Sequence, residues 1–547
     1  MSLVQNVLAV VVLLGGLVFV HELGHFTVAK LLGVKVLRFS IGFGPRLLGF
    51  RRGETEYQVS ALPLGGYVKM AGEDPAQEVA PEDRGRTFLE QAPWKRLAIA
   101  FAGPGMNLVF PFVIYVLLGL AQNGELTAGP AVGTVSPGSP AAEAGLLPGD
   151  RIRRVQVPGE PPADIRWFGD LRDHVSPHPG QPLTFTVERD GALLPLTIVP
   201  AAEDDSNAVE KRQRGIIGVT PYYPAPLAAP APGIASPLEP LDLVVSVAGR
   251  PVRHAGDLMA AVAAAGCRPV AMEVRRGTGK ERPSRRLDAV PTCLPDGAPA
   301  VRLADPTVST YLAAVDPGSP AAAAGLKRGD AIAAVNGKPV RSFREVNAVG
   351  REFQPGKPVA LALADGRTVT LVPSAETVKD ELTREAHQRP VLGFHLEDRA
   401  GIDLGALVVE ELPLRRGLGE IAALAVDQLW EVVRITVLGI GKIFTGDISF
   451  KTVGGPIMLF SIAAEAAEQG IGTFLFQMAL ISVNLGLMNL MPIPVLDGGH
   501  IVTATIEGVT RRRLSLRVRE VANWVGLVLI LTLMVFVFGN DIMRLRG

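Results

Sequence analysis

A multi-pass α-helical membrane protein is the fold class that this sequence predicts. Four transmembrane helices, a membrane-associated β-hairpin and tandem extracytoplasmic α+β domains make up the expected architecture. Three observations carry it: four long uncharged stretches, Lys and Arg concentrated in two of the connecting loops, and an internal repeat in the longest connecting segment. A chain of 547 residues exceeds one core, so several domains are expected. Lys plus Arg (54) balances Asp plus Glu (54), so nothing suggests nucleic acid or a polyanionic substrate, and the lipid bilayer is expected as a partner from the uncharged stretches.

A helix crossing a bilayer needs about 20 apolar residues. Residues 1–20, 97–120, 471–496 and 521–539 carry no charge. The first stretch is read as a retained span, assigned to residues 1–26. A cleaved signal peptide has a basic start and a small-residue cleavage site, and Met1–Asn6 has no basic residue. The other spans are assigned to residues 97–120, 471–497 and 521–540. Arginine and lysine crowd the loops at residues 30–96 and 498–520, including Lys30, Arg51, Arg52, Arg96, Arg511, Arg512 and Arg513. Both loops are therefore expected in the cytoplasm, with the long segment between spans two and three outside. Residues 416–470 are apolar but carry Glu420, Asp427, Glu431, Arg434 and Lys442, so amphipathic helices on the membrane surface are expected there.

Within the first basic loop, Val34–Phe50 and Glu56–Met70 alternate around the Arg52-Gly53 turn and predict a β-hairpin. A transmembrane substrate must unwind before its peptide bonds can react. The hairpin edge, with Gly65, Gly66, Tyr67 and Val68, is the candidate surface on which an unwound segment is held as an added strand.

The exterior segment contains the repeat. Ser136–Asp150 recurs as Asp316–Asp330, identical at 11 of 15 positions at an offset of 180. The shared Pro-Gly-Ser-Pro-Ala and Gly-Leu-x-x-Gly-Asp elements resemble the PDZ domain in its bacterial, circularly permuted form, at residues 128–219 and 305–400. Such domains capture peptide C-termini at a sheet edge. Asp242–Val252 lines up with Asp330–Val340 and marks a degenerate third unit at residues 233–298, which lacks both elements. The Pro-rich run Thr220–Pro232 reads as a linker. Cys267 and Cys293 are the only cysteines, and the sequence leaves open a disulfide or two buried thiols.

The chemistry concentrates at the end of the first span. His21-Glu22-Leu23-Gly24-His25 fits His-Glu-x-x-His, which on a helix puts both histidines on one face with the glutamate beside them. A plain pair of interfacial helix histidines is the bland alternative. A catalytic zinc needs a third protein ligand. Span three runs inward, so its end lies level with the histidines; Asp497 and His500 both stand there, with Asp497 the one carboxylate.

With these residues in hand, the sequence resembles the site-2 protease family over nearly its whole length. The matching motifs are His21–His25, Gly42–Pro45, Pro63–Met70, Ala102-Gly103-Pro104 with Asn107, Ser482–Leu490 and Pro492–His500. The resemblance implies an intramembrane zinc endopeptidase, with His21, His25 and Asp497 as zinc ligands and Glu22 as the general base. It implies substrate contacts at Asn489, Pro492 and Pro494. It also implies single-span membrane substrates such as anti-sigma factors, cut after a prior cleavage, or remnant signal peptides. The location it implies is a bacterial inner membrane, with the active site near the cytoplasmic side and the PDZ-like units periplasmic. A third PDZ-like unit departs from the family pattern. Two other classes compete: an inactive membrane-anchored PDZ scaffold, and a metal transporter using the same histidines and aspartate.

Overall fold

In the computed structural model, the described residues are 3–73, 81–207, 209–277, 282–379, 386–396, 402–449 and 453–546. The ends or insides of the expected units at 1–26, 30–96, 128–219, 233–298, 305–400 and 416–470 include residues outside that set. The chain divides into two compact units. One comprises Met1–Gly124 with Arg415–Gly547, and the other Glu125–Leu414.

The first unit is mainly helical. Its helices are α1 (Leu3–Leu31), α2 (Pro93–Gln122), α3 (Leu418–Thr445), α4 (Pro456–Gln469), α5 (Ile471–Asn489), α6 (Asp497–Thr510) and α7 (Leu516–Arg546). Four contain stretches long and apolar enough to cross a membrane: Gln5–Leu31, Pro93–Gln122, Ile471–Asn489 and Arg517–Met543. The expected third span, 471–497, is corrected. Helix α5 stops at Asn489, and Asp497 opens α6. Pro492 and Pro494 lie between them, and each lacks the N–H that would continue a helix. Leu13, Leu17, Ile114, Met478 and Ala479 are buried where α1, α2 and α5 pack, and Ala463 of α4 joins them.

Helix α3 packs on the same bundle. Its Thr436 Oγ1 donates to Asn484 Oδ1 of α5 at 2.7 Å. The buried Asp541 near the end of α7 accepts N–H groups of Gly455, Ile457 and Met458 at 3.0, 2.9 and 3.3 Å. It thereby caps the start of α4, where the orphan N–H groups and the helix dipole favour a carboxylate.

Strands β1 (Val36–Arg52) and β2 (Thr55–Met70) form the expected hairpin, folded over on itself. Residues 36–41 pair on one side with 56–59 and on the other with 66–70, while 46–52 pairs with 55–60. Four segments thus lie in the order 66–70, 36–41, 55–60, 46–52. Segment 66–70 is an edge with one partner among the described strands. Leu47, Leu48 and Phe50 near the hairpin tip are exposed.

A buried charge cluster ties the helix ends together. Glu507 of α6 is 3% exposed, and its Oε2 takes a hydrogen bond from Arg96 Nη2 of α2 at 2.5 Å. Its Oε1 accepts from Leu514 N at 2.9 Å and from Arg519 of α7. The cluster holds the helix bearing Asp497 against the helix that braces the histidines.

The second unit repeats one topology three times. A helix-connected four-stranded sheet appears with strands 163–164, 151–156, 183–189 and 192–198 as neighbours in that order. The same order recurs at 250–251, 242–247, 270–275 and 284–290, and again at 338–339, 332–335, 359–363 and 368–371. A strand pair completes each: Thr134–Val135 with Val219–Thr220, Leu227–Pro230 with Val301–Leu303, and Ala314–Val315 with Phe394–His395. Each sheet covers its own buried cluster, around Phe185, Met272 and Leu361 respectively.

An aspartate at the turn into the central strand plays the same part in all three units, following Gly149 and Gly329 in the first and third and Leu241 in the middle one. Asp150, Asp242 and Asp330 each accept a backbone N–H three residues earlier, from Leu147, Glu239 and Lys327, at 2.8–2.9 Å. Each also accepts a guanidinium, from Arg189, Arg276 and Arg367. The first and second are two-pronged Arg–carboxylate pairs, the strong form of such a bond. The first and third units carry short helices, Pro140–Glu143 and Pro320–Ala323, capped by Ser139 and Ser319. Among its described residues the middle unit has no such helix. Instead it holds a Cys267–Cys293 disulfide, which settles the choice that the sequence left open.

The Glu507 cluster predicts a pH effect. Burial disfavours the charged form, but Arg96, the Leu514 N–H and Arg519 outweigh it and pull the pKa from 4.5 to about 2. A lowered folded-state pKa gives stability that is full above the unfolded value and lost as pH falls through the folded one. The melting temperature of the detergent-solubilised chain should therefore drop as pH goes from 4.5 towards 2. Glu507→Gln should make that decline shallower, and Glu507→Ala should cost roughly 3–5 kcal/mol at neutral pH by leaving buried Arg96 unpaired.

Candidate metal centre

Helix α1 delivers both histidines to one point. His21 and His25 are four residues apart and therefore share a face. Their Nε2 atoms lie 3.2 Å apart. Asp497 meets them from the start of α6, with Oδ2 at 3.1 Å from His21 Nε2 and Oδ1 at 3.3 Å from His25 Nε2. Among the described residues these three form the one group of His, Cys, Asp and Glu arranged to hold a metal ion. The spacing fits zinc. Four ligands about 2.0–2.1 Å from a tetrahedral ion sit roughly 3.3 Å from one another, and two imidazoles plus a carboxylate is a catalytic donor set.

Helix α2 supplies the walls. His25 Nδ1 donates to the Ile99 carbonyl at 2.7 Å, which puts the proton on Nδ1 and leaves the Nε2 lone pair facing the centre. Gly103 sits one turn further along. A Cβ there would lie 2.3 Å from His25 Nε2. Gly24 answers it from α1, where a Cβ would lie 2.2 Å from the Ala102 carbonyl oxygen. Asn107, one more turn along α2, lies against His21 with Nδ2 3.1 Å from Nδ1.

Asp497 is seated by the chain around it. A Cβ at Gly498 would lie 2.0 Å from the Met491 carbonyl oxygen, and one at Gly499 2.7 Å from that of Ile493. Only glycine lets the first turn of α6 settle on the proline loop. Val495 adopts φ +85°, a left-handed conformation that is strained for a β-branched residue and occurs here two residues before Asp497.

A cavity of about 290 Å³ opens on the three donors. Of the sequence-predicted site residues, His21, Glu22, His25, Tyr67, Val68, Asn489 and Asp497 line it. Gly66 abuts Glu22; a Cβ at that position would come within 3.3 Å of Glu22 Cγ. Gly65 turns the strand at φ +107° against the Phe43 ring. Pro492 and Pro494 are not among the lining residues. Pro494 packs instead against Gly526 of α7 and Gly499 of α6. The rival ligand His500 lines the cavity outside the donor group, edge-on to Phe88 at 6.4 Å between ring centres. Sequence reasoning missed the Ile99 carbonyl and gave Asn107 no role. A backbone acceptor leaves no trace in residue type, but a buried Asn inside an apolar span is a readable signal.

Two imidazoles and a carboxylate converging on a cavity that Glu22 also lines, all within a bundle of apolar helices, fit the class of membrane metallohydrolases. Comparison with known proteins makes the class specific. The profile of peptidase family M50 matches residues 9–533, and the chain belongs to this family. The regulator of sigma-E protease RseP of Escherichia coli strain K12 is 30% identical over 554 residues, covering 100% of both chains. Protease RseP of Yersinia pestis is 31% identical over 560 residues, again covering 100% of both. A Neisseria meningitidis protein with zinc metalloprotease in its name is 30% identical over 537 residues and 97% of each chain. The protein is accordingly a zinc metalloprotease.

Gly103→Ala should push a methyl group into His25 and lower both zinc content and proteolysis more than 10-fold. Gly15→Ala, where nothing lies within 4 Å of the new methyl, should leave both unchanged. Metal analysis and a cleavage assay on the purified variants check this.

Proposed function

We propose that the chain cleaves transmembrane segments of single-span membrane proteins, at a zinc ion held by His21, His25 and Asp497. The observation that carries this reading is the convergence of the three donors, 3.1–3.3 Å apart, on a cavity lined by Glu22. Bound by these residues, a zinc ion would supply the Lewis acidity needed to activate water near neutral pH and to polarise a peptide carbonyl. Glu22 takes the proton of the attacking water on its carboxylate and returns it to the leaving amine. Asn489, on the cavity wall, donates its side-chain amide to the substrate backbone. Pro492 and Pro494 act on substrate through the shape of the loop that seats Asp497.

Edge segment 66–70 of β2 passes Glu22 and has one strand partner, so an unwound substrate can add to it as a further strand. This replaces the hydrogen bonds that the substrate loses on leaving its helix. The exposed Leu47, Leu48 and Phe50 suit a hairpin that touches lipid.

The basic loops at 30–96 and 498–520 support a metal centre near the cytoplasmic face of a bacterial inner membrane and a periplasmic location for residues 125–414. Their topology and sequence motifs support PDZ-like units that receive C-termini left by an earlier cleavage, and the relatives named for sigma-E regulation support anti-sigma-factor-like substrates.

Glu22→Gln should abolish cleavage while retaining zinc and bound substrate, and full function in that variant would favour the scaffold reading. Cysteines placed one at a time along Gly65–Met70 should crosslink to a substrate carrying a cysteine near its scissile bond. Absence of any crosslink would remove the strand-addition step.

A further inference from the structure

Asn107 is buried at 0% exposure in the middle of α2, yet its Oδ1 has no hydrogen-bond partner among the described residues. Its Nδ2 lies 3.1 Å from His21 Nδ1. The two ends of a carboxamide have nearly the same size and exchange places by a half turn of the side chain. With Nδ2 facing the ring, Nδ1 is the acceptor and the ring proton must sit on Nε2, which blocks that atom as a metal ligand. With Oδ1 facing the ring, Nδ1–H donates to it, and the Nε2 lone pair is free to face Asp497 and His25.

We infer that Asn107 is a positioning residue that holds His21 as the Nδ1–H tautomer by accepting its proton at Oδ1, so that Nε2 can bind zinc. The inference rests on the proposed zinc site and adds to it the group that fixes one ligand's tautomer. His25 shows the same logic, because its Nδ1 faces a group that can only accept, the Ile99 carbonyl. Helix α2 thus presents two oxygen acceptors to two histidines of α1, from positions eight residues apart on one face.

The surroundings hold Asn107 in place. Ser482 Oγ of α5 donates to its backbone carbonyl at 2.8 Å. Gly486 of α5 leaves room beside it, since a Cβ there would lie 3.2 Å from Asn107 Cβ. A side chain with its backbone bonded to one helix and its amide against a ligand on another has little freedom to serve any other group.

The test compares the full-length protein in detergent with His21→Ala, Asn107→Leu and Asn107→Asp, reading zinc affinity by competition with a chelator. Leucine keeps the bulk without an acceptor, and aspartate keeps the acceptor. His21→Ala should lose zinc. Asn107→Leu should bind zinc about 10–100-fold more weakly, the usual effect of removing a ligand's hydrogen-bond partner. Asn107→Asp should bind within a few-fold of wild type. Wild-type affinity in Asn107→Leu overturns the inference, as does equal loss in the Leu and Asp variants, which would mean a requirement for shape alone. Zinc retained by His21→Ala overturns the site assignment itself, an outcome separate from the other two.

Discussion

The close approach of α1 and α2 is the constraint on which the centre depends. Gly24 lies against the Ala102 carbonyl of α2 and Gly103 against the His25 ring of α1, so neither position has room for a side chain of its own. Backbones that near bring Ile99 and Asn107 within hydrogen-bonding reach of rings on the other helix. Small residues are the means by which helices approach closely in lipid, where association gains nothing from expelling water. In this protein the closeness does more than pack the bundle. It turns a backbone carbonyl and a buried amide into supports for the metal-binding face.

The third donor arrives by a different device. Asp497 opens a short helix that follows a proline break, and it reaches the histidines because two glycines let that helix sit down on the loop. At the other end of the same helix, Glu507 is clamped between Arg96 and Arg519. Helix α6 is therefore fixed at both ends, one by steric fit and one by charge. Such a buried cluster is costly to desolvate, so its gain is better understood as placement than as stability.

Much of this was legible in residue types and spacing. The uncharged runs marked four helices long and apolar enough to cross a membrane, alternation marked the hairpin, and residue type and spacing singled out His21, Glu22, His25 and Asp497, which the fold brings to one cavity. The end of the third span was misjudged because hydrophobicity runs past Asn489, whereas hydrogen bonding does not continue through Pro492 and Pro494. The support from Ile99 was invisible because a carbonyl belongs to every residue. The middle of the three repeated units looked degenerate from its missing Pro-Gly-Ser-Pro element. Its strand order is nonetheless the same as its neighbours', since Asp242 and Arg276 preserve the lock at the turn. The cysteine pairing was undecidable because the two residues are 26 apart in sequence and only folding brings their Cα atoms to 5.0 Å.

The pairing of first and last strands has a consequence for how such a chain can change. In the middle unit the arriving strand, Leu227–Pro230, lies against the departing one, Val301–Leu303. The second compact unit as a whole repeats the arrangement, with Leu126–Ala128 against Glu411–Pro413. A module whose two ends leave side by side can be spliced in or out without stretching what flanks it. Gene duplication can therefore lengthen this unit by whole modules, while its entering and leaving strands stay paired as neighbours.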